Sequence, residues 1–413
     1  LCGTLGEDSF AQHFPNRTNM YGRHFLFVPG PTHVPERVIR AMARSMEDHR
    51  SSAFPELTLG LLRDLRPVFG TERGRPFIFP GTGTGGWEIA LTNLLSPGDT
   101  VLAVRNGQFS HLFAQAAGNL GFDVRTIDVE WGEAVPADRV EEVLREDTEQ
   151  RIRAVLVVHN ETATGVRSDI AAVRAALDAA AHDAMLFVDG VSSIGSMEFR
   201  FDSWGVDAAV AGTQKGLMLP AGLAIVAMSE KALAACDAAR APRSVFDLKA
   251  MAVQNDDGYF PYTPPLSLLF GLREALDIFA EEGLPNIYAR HARFGAGVRA
   301  AVAAWDLELC ARSPEAYSDT VSAVMLPPEF DARKVIDIAF RRWNLSLGGG
   351  LARLAGKAFR IGHLGDVNEL MLLGALAGVE LALIDTGLPI IAGTGVSAAQ
   401  LVWSESTPRP SSS

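Results

Sequence analysis

The chain has 413 residues, 48% of them hydrophobic and 21% charged, which excludes wholesale disorder and is enough for two cored domains. The formal net charge of −12 excludes a sequence-independent hold on nucleic acid, which needs clustered Lys and Arg to displace counterions. Any anionic ligand must therefore be held by a few local donors.

Residues 1–23 read as an N-terminal arm. Residues 1–19 lack the cationic start and apolar run of a secretory signal, and Met20 is a candidate for the natural start. From residue 76 short apolar runs alternate with polar turns and amphipathic stretches. The runs are PFIFP (76–80), TVLAVR (100–105), DVRTIDV (123–129), AVLVVHN (154–160), AMLFVD (184–189), AAVAGT (208–213) and LAIVAM (223–228). Apolarity without alternation predicts strands buried on both faces, hence an α/β fold with a mostly parallel sheet covered by helices. Helices are expected over 109–119, stopping at Gly121, and over 170–181, capped by Ser168 or Asp169.

This large domain is assigned to 24–284. After Pro285, long amphipathic helices, a few strands and the run LSLGGGLARLAGKAFRIGHLG predict a smaller α+β domain over 285–400, with a tail over 401–413 whose last seven residues, TPRPSSS, are expected to be disordered. The most apolar stretches, 208–228 and 370–393, are broken by Lys215 and Pro220 and by Glu380 and Asp385, so no membrane span is expected. Cys2, Cys236 and Cys310 are far apart and in no metal-ligand spacing, which predicts a reducing, cytoplasmic setting with neither disulfides nor a metal site.

In an open parallel sheet, ligands sit where strand ends meet helix starts, and the chemistry-bearing residues fall at such joints. In FPGTGTGGWEIA (79–90), Thr82, Gly83 and Thr84 would offer N–H groups and hydroxyls to a phosphate at a positive helix end. Gly81, Gly83 and Gly86 also match GxGxxG, but the next strand ends in Arg105 and Asn106 where a dinucleotide site wants an acid, so only an NADP reading survives there. Phe109 is placed either to stack on a planar ring or to pack in the core, and Thr162 is either a ligand hydroxyl or a turn residue. Asp189, ending a buried strand, is either a partner for a pyridine nitrogen or a turn cap. Lys215 has no other charge between Asp207 and Glu230; it is either an amine of lowered pKa or a lysine that extends to water. Arg360, in the apolar run AFRIGHLG, needs either a substrate carboxylate or an internal salt bridge.

The order of these segments resembles that of the fold type I, class V aminotransferases, and within them the glyoxylate aminotransferases of the plant and bacterial serine–glyoxylate branch. FVPGP, GTGTGGWE, LSPGD, VHNETATGV, VDGVSS, WGVD, QKGLMLP, YTPP and RIGHLG carry the resemblance, which runs from about Arg23 to Gln400. It implies pyridoxal 5′-phosphate (PLP) as cofactor, Lys215 as its Schiff-base residue and proton carrier, Asp189 at the ring nitrogen, Phe109 over the ring and Thr162 near the phenolic oxygen. It further implies Val191 against the ring, Thr82, Gly83, Thr84 and Gln214 at the phosphate, and Arg360 on the substrate carboxylate.

A homodimer with shared sites is implied as well, with Thr263 of FPYTPP crossing to the neighbour's phosphate and His49 and Arg50 of EDHRSS reaching the donor's side chain. The animal alanine–glyoxylate members differ at Phe109, Thr84, Thr162 and Phe260, carrying Trp, His, Ser and Tyr there, so serine is expected as donor, with alanine and aspartate as alternatives. The plant enzymes it resembles are peroxisomal, but this tail ends in SSS and not in an SKL-like address. A class V desulfurase would need a reactive Cys on a mobile loop, a setting that neither Cys236 nor Cys310 has.

Overall fold

The structure is a computed structural model and describes residues 22–406. Its strands, in chain order, are β1 (Phe25–Phe27), β2 (Arg75–Gly81), β3 (Thr100–Arg105), β4 (Asp123–Asp128), β5 (Ile152–Val158), β6 (Asn160–Glu161) and β7 (Val166–Arg167). They continue with β8 (Met185–Asp189), β9 (Ala208–Gly212), β10 (Gly222–Met228), β11 (Glu308–Leu309), β12 (Val321–Met325), β13 (Leu345–Gly349) and β14 (Ala358–Gly362).

Seven strands form the large sheet in the order β2-β10-β9-β8-β5-β3-β4. Only β10 runs against its neighbours β2 and β9; the others are parallel. The apolar runs thus form the expected sheet, each within a residue or two of its sequence range. β8 and β9 are buried at every position, as strands covered on both faces must be. β4 departs from that expectation. It lies at the sheet edge with Asp123, Arg125 and Asp128 exposed, and charges of this kind keep an edge from pairing with another chain.

Helices fill the crossovers. Asp169, not Ser168, caps helix Ile170–Ala179 by accepting the N–H of Ala172 at 3.0 Å. That helix stops two residues early, and Ala181 takes a left-handed φ of 50° to turn the chain. Helix Gln108–Asn119 ends as expected before Gly121.

The second sheet has the order β1-β13-β14-β12-β11. Its first member comes from the other end of the chain: Phe25–Phe27 runs parallel to Leu345–Leu347. Residues 25–27, assigned by sequence to the large domain, therefore pair in the second sheet, and the chain crosses to the large sheet afterwards. Two apolar cores follow this division. One spans Val38 to Ile287; the other joins Phe27 to Phe294 and on to Trp403. Helix Leu284–Ala304 passes from one core to the other. Residues 401–406 complete helix Thr394–Ser406 and bury Trp403, so the ordered chain extends into the segment expected as a tail. Residues 1–21, with Cys2 and Met20 among them, and residues 407–413 lie outside the described residues, as do the N-terminal start and the disordered tail expected there. No helix among the described residues is long and apolar enough to cross a membrane.

Glu380 interrupts an apolar helix, Glu369–Asp385, and is nevertheless buried. Its carboxylate accepts the Trp305 indole N–H at 3.0 Å and the N–H groups of Gly393 and Gly395 at 2.7 Å each, the last two at the start of the final helix. Glu380→Ala would leave two buried donors, the Trp305 indole and the Gly395 N–H, unpaired. We expect the urea unfolding midpoint, followed by Trp fluorescence, to fall by the equivalent of about 3 kcal/mol.

Candidate active site

Five strand ends of the large sheet converge on one cavity of about 240 Å³. β2 leads into helix Gly83–Leu94, β3 into the helix that carries Phe109, and β5 into the β6–β7 hairpin whose bend holds Thr162. β8 ends at Asp189, and the turn after β9 presents Gln214 and Lys215. The cavity is lined by Thr82, Gly83, Thr84, Phe109, Thr162, Asp189, Val191, Gln214 and Lys215, all singled out from sequence, and by Trp87, Asn160 and Ser192, which were not. A larger hollow of about 720 Å³, lined in part by Arg167, Trp204, Tyr288 and Asp319, contains none of the selected residues.

The phosphate end is a helix start without a lid. Thr82 is the N-cap in extended conformation, but its side chain caps nothing, and the first intrahelical bond is Gly86 N–H to the Thr82 carbonyl. The preceding N–H groups project from a positive helix end. Gly83 and Gly86 are required by packing: a Cβ there would lie 2.4 Å from Val191 Cγ2 and 2.3 Å from Val210 Cγ1. The GxGxxG match thus has a packing explanation. Arg105, the residue an NADP phosphate would need, is tied to Asp128 at 2.6 Å.

Asp189 accepts the N–H of Val191 at 2.7 Å and the Trp87 indole N–H at 3.1 Å. Burial nevertheless pushes its carboxyl up to about 7, with the nearby Glu161 adding to the rise and the hydrogen bonds and Lys215 opposing it. Lys215 is half-buried. Burial, then the charge of Arg360, bring its amine down to about 8 against the pull of Asp189. Nζ donates to the Pro29 carbonyl, and the Thr32 hydroxyl donates to the Lys215 carbonyl at 3.2 Å. Gly30 has a φ of 105°, and a Cβ there would lie 2.4 Å from Lys215 Cδ. Residues 28–32 thus form a strap laid across the lysine.

Arg360, on β14, does not line the cavity but is buried behind the Thr162 bend that does. Its Nη1 donates to the Thr162 carbonyl at 3.1 Å and its Nε to the Gly349 carbonyl at 2.9 Å. The internal salt bridge held open from sequence is not formed with any carboxylate among the described residues, and burial lowers the guanidinium to about 10. The Thr162 hydroxyl donates to Ser192 Oγ at 2.8 Å.

His49, Arg50 and Thr263 do not line this cavity. Arg50 and Thr263 are exposed and His49 is half-buried. Their segments meet on another face, where the Tyr259 hydroxyl donates to the Ser51 carbonyl at 3.3 Å and Phe54 packs against both His49 and Phe260. Cys236 and Cys310 are buried free thiols, and burial raises both to about 11, the reverse of an activated sulfur.

An uncapped helix start at one end, the aromatic and aliphatic side chains of Phe109 and Val191, a buried carboxyl with no cation bonded to it and a buried amine together suit a phosphorylated pyridine aldehyde. Residues 24–327 match the family described as aminotransferase class-V, and the chain belongs to that family: it is a PLP-dependent aminotransferase. It is 56% identical over 387 residues to the serine–glyoxylate aminotransferase of Methylorubrum extorquens, covering 92% of this chain and 96% of the relative. It is 52% identical to the L-aspartate–glyoxylate aminotransferase of Paracoccus denitrificans, covering 94% and 98%. Among solved structures, the pyridoxamine–pyruvate aminotransferase of Mesorhizobium loti superposes with a TM-score of 0.88 at 29% identity, covering 95% of this chain and all of that one.

The raised Asp189 value has a thermodynamic sign. In the cofactor-free protein the folded state keeps a proton that the unfolded chain releases between its ordinary value of 3.8 and about 7, so this residue makes stability fall as pH rises through that window. Asp189→Asn should remove a slope of up to about 1.4 kcal/mol per pH unit, measured by denaturation of the cofactor-free protein at pH 5 and pH 7.

Proposed function

We propose that the chain transfers the amino group of L-serine to glyoxylate, yielding hydroxypyruvate and glycine by alternating half-reactions. The reading rests on one observation above the others: the 56% identity to a serine–glyoxylate aminotransferase extends over nearly all of both chains. The aspartate-using relative at 52% supports a second reading, aspartate as donor, and alanine is the third donor to test.

PLP, when bound, supplies an electron sink for the charge left on the substrate's Cα. Thr82, Gly83, Thr84 and Gln214 hold its phosphate, Phe109 and Val191 hold the ring faces, and Thr162 serves the phenolic oxygen. Asp189 holds a proton at the ring nitrogen, and the positive charge there offsets the burial that disfavours its carboxylate. Lys215 would hold the cofactor through its aldehyde carbon when no substrate is bound. Its amine, at about 8, is unprotonated often enough near neutrality to take the proton from the donor's Cα and later return one to the carbon that becomes Cα of glycine. Arg360 has donors left over from its two carbonyls and orients the substrate carboxylate, while the strap of residues 28–32 excludes water from Lys215.

The working form in this proposal is a homodimer, in which the partner supplies its Thr263 to the phosphate and its His49 and Arg50 to the donor's polar end. The exposed side chains of Met46, Leu59, Val253 and Tyr262, which flank or adjoin these segments in sequence, support it as apolar surface for a second copy. The division into two domains near residue 284 and a cytoplasmic setting belong to the same proposal.

Lys215→Ala should lower turnover by at least about four orders of magnitude, read as glycine formed from glyoxylate; a rate near that of the wild type would remove Lys215 from the chemistry. A panel of serine, aspartate and alanine, each with glyoxylate and with the keto acid identified, assigns the donor. Arg360→Ala should raise KM for both substrates about a hundredfold while the absorbance of bound cofactor stays unchanged.

A further inference from the structure

Glu161 has no part in the chemistry above, yet it is completely buried and lies between two of the segments that build the cofactor slot. Its Oε1 accepts the N–H of Phe109 at 3.2 Å and that of Ala163 at 3.1 Å, and its Oε2 accepts the N–H of Ser110 at 2.9 Å. The carboxylate therefore closes the positive end of helix Gln108–Asn119 from outside that helix. Its own carbonyl accepts the N–H groups of Thr164 and Gly165, which shapes the bend that carries Thr162. From the other side Arg360 holds the Thr162 carbonyl. The residue at 107 confirms how closely the carboxylate is seated. A Cβ on Gly107 would fall 2.3 Å from Glu161 Cγ and 2.4 Å from Cδ, so the chain there has room for this side chain only because 107 is glycine.

We propose that Glu161 is a positioning residue for the cofactor: its carboxylate clamps the start of the Phe109 helix to the Thr162 bend and so sets the separation of the two walls between which the ring is held. The inference rests on the reading of this cavity as the PLP slot. A wall fixed by three N–H bonds to one carboxylate can be loosened by removing an acceptor or by displacing the whole group. Glu161→Gln does the first, because one of its ends becomes an NH2 that faces backbone N–H. Gly107→Ala does the second and keeps the charge.

The test is made on the full-length holoenzyme by dialysis and re-titration with PLP, following the visible band of the bound cofactor. Both variants should raise the cofactor's dissociation constant about ten- to a hundredfold and shift the band. Gly107→Ala also keeps the test decisive if Glu161→Gln does not fold. Glu380→Ala, destabilised in the other domain, is the control and should keep the wild-type constant and band. If the folded variants bind PLP with the wild-type constant and band, or change no more than Glu380→Ala does, the clamp is overturned. A wild-type protein that takes up no PLP would overturn the cavity reading and the clamp together, and is distinguished by the wild-type titration alone.

Discussion

A carboxyl group at the end of a strand covered on both faces can stay ionised only if something positive stands beside it. Asp189 is in that position, and its two hydrogen bonds, from Val191 and Trp87, do not make up for the water it has lost. Much of the site follows from this. The sheet places Asp189 at the bottom of the cavity, and the turn after β9 brings Lys215 into the same cavity, where the amine faces the opposite penalty. Two buried groups of opposite charge, each displaced toward neutrality, form a cavity that is electrostatically complete only when a cation sits on one and a carbonyl carbon meets the other. The pyridinium and aldehyde of PLP match that requirement.

The same economy of charge governs the surroundings. Arg360 and Glu161 are buried on either side of the Thr162 bend without forming an ion pair, and each is satisfied by backbone groups instead. Backbone partners hold a charged group in place without neutralising it. Arg360 thus has donors not taken up by its two carbonyls, and Glu161 is joined to its surroundings through peptide groups.

Much of the large sheet was legible because its signal is local. Runs such as TVLAVR and LAIVAM announce a strand buried on both faces wherever they occur, and the residues following them fall at the ligand-bearing edge by topology alone. β4 was misjudged because DVRTIDV contains enough apolar residues to pass for a central strand, while its charges mark an edge only once neighbours are known. The nine cavity residues found from sequence all sit next to strand ends in motifs. Trp87 was missed because it is four residues into a helix and meets Asp189 through packing across 102 residues of sequence. Glu161 was hidden within HNETATG, where Thr162 drew attention and the partners of Glu161, the N–H groups of another helix, carry no side-chain signature. The strap over Lys215 was quoted as FVPGP without a role, because its contact spans 186 residues.

β1 also imposes an order in time. Phe25 pairs with Leu345, so the first of the described strands waits for more than three hundred further residues before its partner exists. At ordinary translation rates that delay is on the order of tens of seconds, during which the large sheet between them can close on its own core. Pro29 and Gly30 follow directly on β1, so the strap over Lys215 hangs from a strand whose own partner, β13, is made later. Lys215 is itself made between those two strands, so the strand that carries its cover is paired only after the lysine and the sheet that presents it are complete.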